Sequence, residues 1–161
     1  MSGRGGAGAS LSTSDRNWLS RAAELAERGW GRVHPNPMVG CVLVKAGRVV
    51  GEGWHRQYGG AHAEVEAVKA AGRHARGATA YVSLEPCNHQ GKTPPCAHLL
   101  IEAGIVRVVF GASDPKAGAC GSLRNIVDDD RLNHRVELIG GVMAETCSEM
   151  LRTFFKDKRK K

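Results

Sequence analysis

An α/β fold is predicted, three layers with one mixed five-stranded sheet between helices, and three features of the chain predict it. Two apolar segments, VGCVLVK and RVVGEGW, flank Ala46-Gly47 like the arms of a β-hairpin. Beyond them helical and extended stretches alternate, the order that lays parallel strands beneath crossover helices. The 161 residues, 42% hydrophobic but only 5% aromatic, furnish the core of one such domain and are too few for two catalytic domains.

The elements follow in order. Residues 1–13, rich in Gly, Ser and Ala, are expected to be disordered. In SDRNWLSRAAELAERG, Trp18, Leu19, Ala22, Leu25 and Ala26 fall on one helical face, with Ser14 or Asp15 as N-cap and Gly29 as the stop. The hairpin comes next, then a helix from about His62 to Ala71, a strand ATAYVSL, a helix from about Pro95 to Ala103 and a strand VRVVFG. RVELIG supplies the fifth strand. A last helix from about Met143 to Phe155 carries Met143, Cys147, Met150, Leu151 and Phe154 at helical spacing, which core packing explains. Residues 14–155 thus read as a single domain and 156–161 as a basic C-terminal tail.

Charge and hydropathy narrow the function classes. No apolar run reaches the length of a membrane span, and MSGRGGAGAS lacks the apolar stretch of a signal peptide, so a cytoplasmic protein without membrane contact is expected. The net charge is +7, yet KDKRKK at the end carries +4 of it, so the body is only mildly basic. Such a run is either a solvated tail or a phosphate-binding one.

LEPCNHQGKTPPC, residues 84–96, holds two cysteines, each directly after a proline, at the ends of a polar loop. A disulfide, a closed structural zinc site, an open catalytic zinc site and two unrelated core thiols are all compatible with that loop alone. Cytosolic thiols stay reduced, and the five cysteines, Cys41, Cys87, Cys96, Cys120 and Cys147, are an odd number, which weighs against the disulfide. Cys41, inside VGCVLV, reads as a small core residue. HAE at 62–64, at the start of the first central helix, adds one imidazole and one carboxylate. A catalytic zinc site uses three nitrogen or thiolate ligands and leaves a fourth position for water, and His62, Cys87 and Cys96 make that number. Helix N-termini beside Cys87 and Cys96 would favour the thiolate form that binds metal. Glu64 would then face the open position and carry protons without ligating. The rivals are a closed structural zinc with His89 as fourth ligand and, for His62 and Glu64, a simple capping pair.

The pattern of H-x-E followed one strand later by P-C is that of the zinc deaminases, and the chain resembles their cytidine deaminase-like superfamily in two ways. From about Trp18 to Val106 it resembles the pyrimidine deaminase domain of the riboflavin pathway, RibD type, on HPNPMVGCVLVKAGRVVGEGWH, GGAHAEVEAV and ATAYVSLEPCNHQGKTPPCAHLLIEAGI. The long C-x8-C ending in TPPC, in place of the short C-x-x-C, is specific to that family. From about Arg107 onward it resembles bacterial tRNA adenosine deaminase, TadA, on RVVFGASDPKAGACGSL, RLNHRVEL and GGVMAETCSEMLRTFF with a basic end. A natural hybrid, an engineered chimera and a reconstructed sequence would each give this combination.

The resemblance implies a cytidine deaminase-like fold, Zn2+ as cofactor on His62, Cys87 and Cys96, and Glu64 as proton shuttle. It further implies a substrate pocket lined by Asn36, His55, Ala63, Glu85, Asn88, His89, Lys92 and Thr93, with Lys92 as a partner for a substrate phosphate. The expected reaction is hydrolytic deamination, a ring amino group exchanged for a keto group with release of ammonia. Its expected substrate is the diaminopyrimidine ribotide of riboflavin biosynthesis, because pocket residues choose the base. The alternative is a tRNA adenosine, with Phe154, Phe155, Lys156, Lys158 and Arg159 as candidate nucleic-acid contacts. A homodimer is expected from the superfamily. A zinc-stabilised scaffold or inactive assembly partner is the reading from another class, and the retained Glu64 speaks against it.

Overall fold

The computed structural model describes residues 11–87, 96–113 and 136–159. Helix α1 spans Thr13–Glu27, followed by strands β1, Gly40–Lys45, and β2, Arg48–Trp54. Helix α2 covers Ala63–Ala71 and runs into a 3-10 turn at Gly72–Ala75. Strand β3 is Thr79–Leu84, helix α3 Cys96–Glu102, strand β4 Arg107–Ala112, strand β5 Glu137–Ile139 and helix α4 Ala144–Arg159. The sheet order is β2-β1-β3-β4-β5. The hairpin pair and β1–β3 are antiparallel, whereas β3–β4 and β4–β5 are parallel, so the predicted mixed five-stranded sheet is present.

Alternation along the strands divides the core between the two faces. Cys41, Leu43, Val82 and Val108 pack with Ala63, Ala67 and Leu100 of α2 and α3. Val42, Val44, Tyr81 and Val109 pack with Leu19, Ala22 and Leu25 of α1, while Met150 and Phe155 of α4 lie against Ala26, Val33 and Met38. Gly53 sets how near α2 comes to the sheet: a Cβ there would stand 2.5 Å from the Ala63 carbonyl oxygen. Only a residue without a side chain lets the start of α2 lie on β2, and that contact fixes where His62 and Glu64 project.

Four expectations shift in detail. The N-cap of α1 is Ser12, not Ser14 or Asp15: its hydroxyl accepts from the Asp15 amide at 3.0 Å, and the Asp15 carboxylate accepts from the Ser12 amide at 3.0 Å, a reciprocal box. Ordered structure therefore begins before residue 14, with Leu11 packed on the α1 core; residues 1–10 lie outside the described set. Helix α4 begins at Ala144, because Met143 takes a left-handed φ of 55°, and it runs four residues past Phe155. Lysine and arginine are good helix formers and suit the C-terminal end of the dipole, so the basic run continues the helix through Arg159. Finally, α2 and α3 start at Ala63 and Cys96; Pro95 lies outside the described residues.

A polar network crosses the α1 face. Tyr81 of β3 donates its hydroxyl to Asp15 Oδ1 at 2.6 Å, and Arg107 of β4 grips both carboxylate oxygens at 2.8 and 3.0 Å. Arg107 holds the Asp15 carboxyl well below the usual range, against the opposing effect of burial. Among the described residues no helix is long and apolar enough to cross a membrane.

Candidate metal centre and active-site pocket

Three elements deliver three donors to one point. His62 is the N-cap residue of α2, in extended backbone at φ −71° and ψ 161°, and its side chain makes no capping bond. Its ring Nδ1 instead lies 3.3 Å from Cys96 Sγ and 3.7 Å from Cys87 Sγ, and the three donor atoms all fall within 4.8 Å of one another. Cys96 opens α3, as expected. Cys87 sits three residues past the end of β3, and its carbonyl accepts the Ala97 amide at 3.3 Å, which anchors it beside the start of α3.

These donors fit zinc. Tetrahedral bonds of ~2.0 Å to nitrogen and ~2.3 Å to sulfur place N and S ~3.6 Å apart, close to both observed separations. The electrostatics agree. The Cys96 thiol is driven far up, first by its hydrogen bond with Cys87 and then by burial, and His62 is pulled up by the Cys87 sulfur. Two sulfurs this close, one of them buried, resist being thiolates together unaided, and a dication removes that resistance. Among the described residues Cys41, Cys87, Cys96 and Cys147 form no disulfide, against the disulfide reading of the loop. His89, the fourth ligand of the closed-site alternative, lies outside the described residues.

Glu64, in the first turn of α2, is 3% exposed. Burial first, and the neighbouring Cys87 sulfur second, push its carboxyl up to about 7. Its position opens onto a cavity of about 290 Å³ that His62 and Cys87 also line. Asn36, His55, Ala63 and Glu85, predicted as pocket residues, are all in the wall. His55 is buried, and its Nδ1 faces the Ala61 carbonyl oxygen at 3.0 Å, an atom that can only accept. The proton therefore resides on Nδ1, and Nε2 accepts from the Asn36 amide nitrogen at 3.2 Å. Burial lowers the His55 pKa and keeps this neutral tautomer. The Glu85 amide donates to the Ala112 carbonyl at 2.9 Å, which ties the wall to β4.

Pro37, Val39 and Leu84 form an apolar part of the wall that sequence reasoning did not single out, although each adjoins or closely follows a motif residue. Asn88, His89, Lys92 and Thr93 lie outside the described residues. Of the five C-terminal residues put forward as nucleic-acid contacts, Phe155 is half-buried against the Ala26, Val33 and Met38 cluster and Lys156 is exposed. The side chains of Phe154, Lys158 and Arg159 are outside the described set.

Residues 12–112 match the model of the cytidine and deoxycytidylate deaminase zinc-binding region. The chain is 45% identical over 146 residues to the riboflavin biosynthesis protein RibD of Escherichia coli strain K12, covering 90% of this chain but 38% of that protein. It thus spans well under half of the RibD proteins it matches. Against the diaminohydroxyphosphoribosylamino-pyrimidine deaminase of Buchnera aphidicola subsp. Schizaphis graminum it is 41% identical over 145 residues, covering 90% of this chain and 96% of that one. A solved deaminase/reductase from Thermotoga maritima superposes with a TM-score of 0.75 at 44% identity, covering 88% of this chain and 40% of the other. A tRNA:A34 deaminase structure superposes at 0.63 with 29% identity, covering 80% and 99%.

Proposed function

We propose, on the premise that this chain belongs to the zinc-binding cytidine and deoxycytidylate deaminase family, that it hydrolytically deaminates a diaminopyrimidine ribotide. The observation that carries the reading is the meeting, in one cavity, of a zinc-competent His62–Cys87–Cys96 set with a buried carboxyl at Glu64. The substrate follows from the Buchnera deaminase, which this chain matches over nearly its whole length.

His62, Cys87 and Cys96 would hold the zinc. When bound, zinc supplies the Lewis acidity that brings the ionisation of a water toward neutral pH. Glu64 does the proton work. A carboxyl near 7 accepts a proton from water readily at neutral pH and gives it up as readily to a ring nitrogen; it then takes the second proton, from the hydroxyl now on the ring carbon, and passes that one to the departing amine. Water enters and ammonia leaves, so the amino-bearing ring carbon ends as a carbonyl. Asn36 and neutral His55, locked to each other, offer fixed polar groups to orient the base, and Val39 and Leu84 exclude solvent from its face.

The test is ammonia release by the zinc-loaded protein given the ribotide. Turnover supports the reading; its absence with zinc confirmed bound refutes this substrate. The second reading, an RNA adenosine, is favoured by the likeness to the tRNA:A34 deaminase and expects inosine formation that weakens steeply with salt. A homodimer belongs to the same proposal, and sedimentation at micromolar protein checks it.

A further inference from the structure

Val39 and Leu84, two of the apolar residues in the cavity wall, have a second set of neighbours behind them. They form one cluster with Ala112 of β4 and with Cys147 and Leu151, which lie one helical turn apart on α4. Among the described residues of the wall, none comes from α4. Gly111 of β4 fixes how closely that helix lies: a Cβ there would stand 2.5 Å from Cys147 Sγ and 2.8 Å from the Ser83 carbonyl oxygen. A helix seated this tightly on the strand cannot drift away from the wall it backs.

The same helix also holds the polar corner of the cavity. Its Met150 and Phe155 pack with Val33 and Met38, which bracket Asn36 and Pro37 of the wall, and the Asn36 amide donates to the Val33 carbonyl at 2.8 Å. An apolar wall yields only as far as the atoms behind it allow, because close-packed side chains shift into vacated space and not elsewhere. Of the two α4 residues behind Val39 and Leu84, Leu151 has the larger side chain. Its truncation therefore vacates more room for the wall to fall back into.

We propose that Leu151 is a positioning residue for the base: acting through Val39 and Leu84, it sets the size of ring that the cavity accepts. This rests on the reading of the cavity as the seat of a base to be deaminated. It also makes base selectivity depend on the last helix of the chain, outside the segments that supply the described wall.

The test compares zinc-loaded Leu151→Ala, the volume-conserving Leu151→Met and Leu138→Ala. Leu138 is a half-buried leucine of β5 that is not in the wall and packs in the cluster under α2 and α3, so its truncation controls for lost stability alone. Two readouts are used: KM and kcat for the ribotide, and calorimetric affinities for two bare rings, isocytosine and the benzo-fused 2-aminoquinazolin-4-one. Leu151→Ala should raise KM about tenfold with kcat within about threefold, and shift the ring preference about tenfold toward the fused ring. Leu151→Met should restore both, and Leu138→Ala should lower Tm while moving neither. Should Leu151→Ala fail to fold, the smaller truncation Leu151→Val carries the test, with a shift of about threefold. An unaltered ring preference in the truncated Leu151 variant, or the same shift in Leu138→Ala, overturns the role of Leu151, as does a wild type that binds neither ring. If the wild type leaves the ribotide unchanged yet shows a ring preference that depends on Leu151, the positioning role stands and the substrate reading falls.

Discussion

Glu64 is buried, carries a carboxyl near 7 and is not one of the three clustered donors, although it shares a hydrogen bond with the Cys96 thiol, so its replacement by an isosteric amide separates proton transfer from metal binding. Glu64→Gln keeps the shape and the polar contacts. We expect turnover to fall by at least about a hundredfold while zinc content, measured by mass spectrometry of the metal, stays at wild-type stoichiometry; parallel loss of zinc would make Glu64 a ligand. Asp15 permits a second test, of stability. Its folded pKa is depressed, so the stabilisation is fully present above its unfolded value of roughly 3.9 and is lost as pH falls through and below that range. Asp15→Asn should cost about 2 kcal/mol at pH 7, because it leaves Arg107 largely buried with only the more exposed Glu137, 3.6 Å away, as a carboxylate partner. The variant should also show a flatter stability profile below about pH 4, and an unaltered acid limb in urea titrations would refute the linkage. His62, Glu64, Cys87 and Cys96 were legible because short-range spacing carries them. The Asp15 network was not: Tyr81 and Arg107 lie 66 and 92 residues away, and nothing in a local pattern pairs a capping aspartate with them.

Strands β1 to β4 and helix α2 could be read from alternation and turn residues, since burial on a sheet imposes those periods. Ends were harder. Ser12, Ser14 and Asp15 are all capping residues, and only the reciprocal bonds between Ser12 and Asp15 choose among them. The role of the glycines in RVVGEGW was also hidden, because a glycine in a strand reads as a weakness until the helix lying on it is seen. Gly53→Val tests that role. Its branched side chain would have to displace backbone at Ala63 and Ala67, so α2 must move outward and carry His62 and Glu64 with it. We expect a loss of about 1–3 kcal/mol in unfolding free energy together with weaker zinc affinity. Val49→Thr, at an exposed position of the same edge strand, should change neither. Loss of stability without any change in zinc affinity would show that α2 is not what aims the ligands.

At the scale of the whole molecule, chain order concealed the topology: the hairpin sits at one edge of the sheet, and β3 pairs with β1 and with β4 at its centre. That arrangement is what brings the C-terminal end of β3 between the starts of α2 and α3. Each of these three elements contributes one donor, so a single ion would bridge parts of the fold joined otherwise by packing of small apolar side chains such as Ala63 and Ala97. Metal binding to the native state alone raises stability by mass action, about 4 kcal/mol at a free concentration a thousandfold above Kd. Stripping the protein with a strong chelator should therefore lower its Tm by several degrees, and stoichiometric zinc should restore it where magnesium, which prefers oxygen donors, does not. In Cys96→Ser the starting Tm should already be low and the chelator should shift it little. A Tm that ignores chelation in the wild type, with the metal shown to be gone, would mean that the three donors are held together by packing and that zinc serves only the reaction.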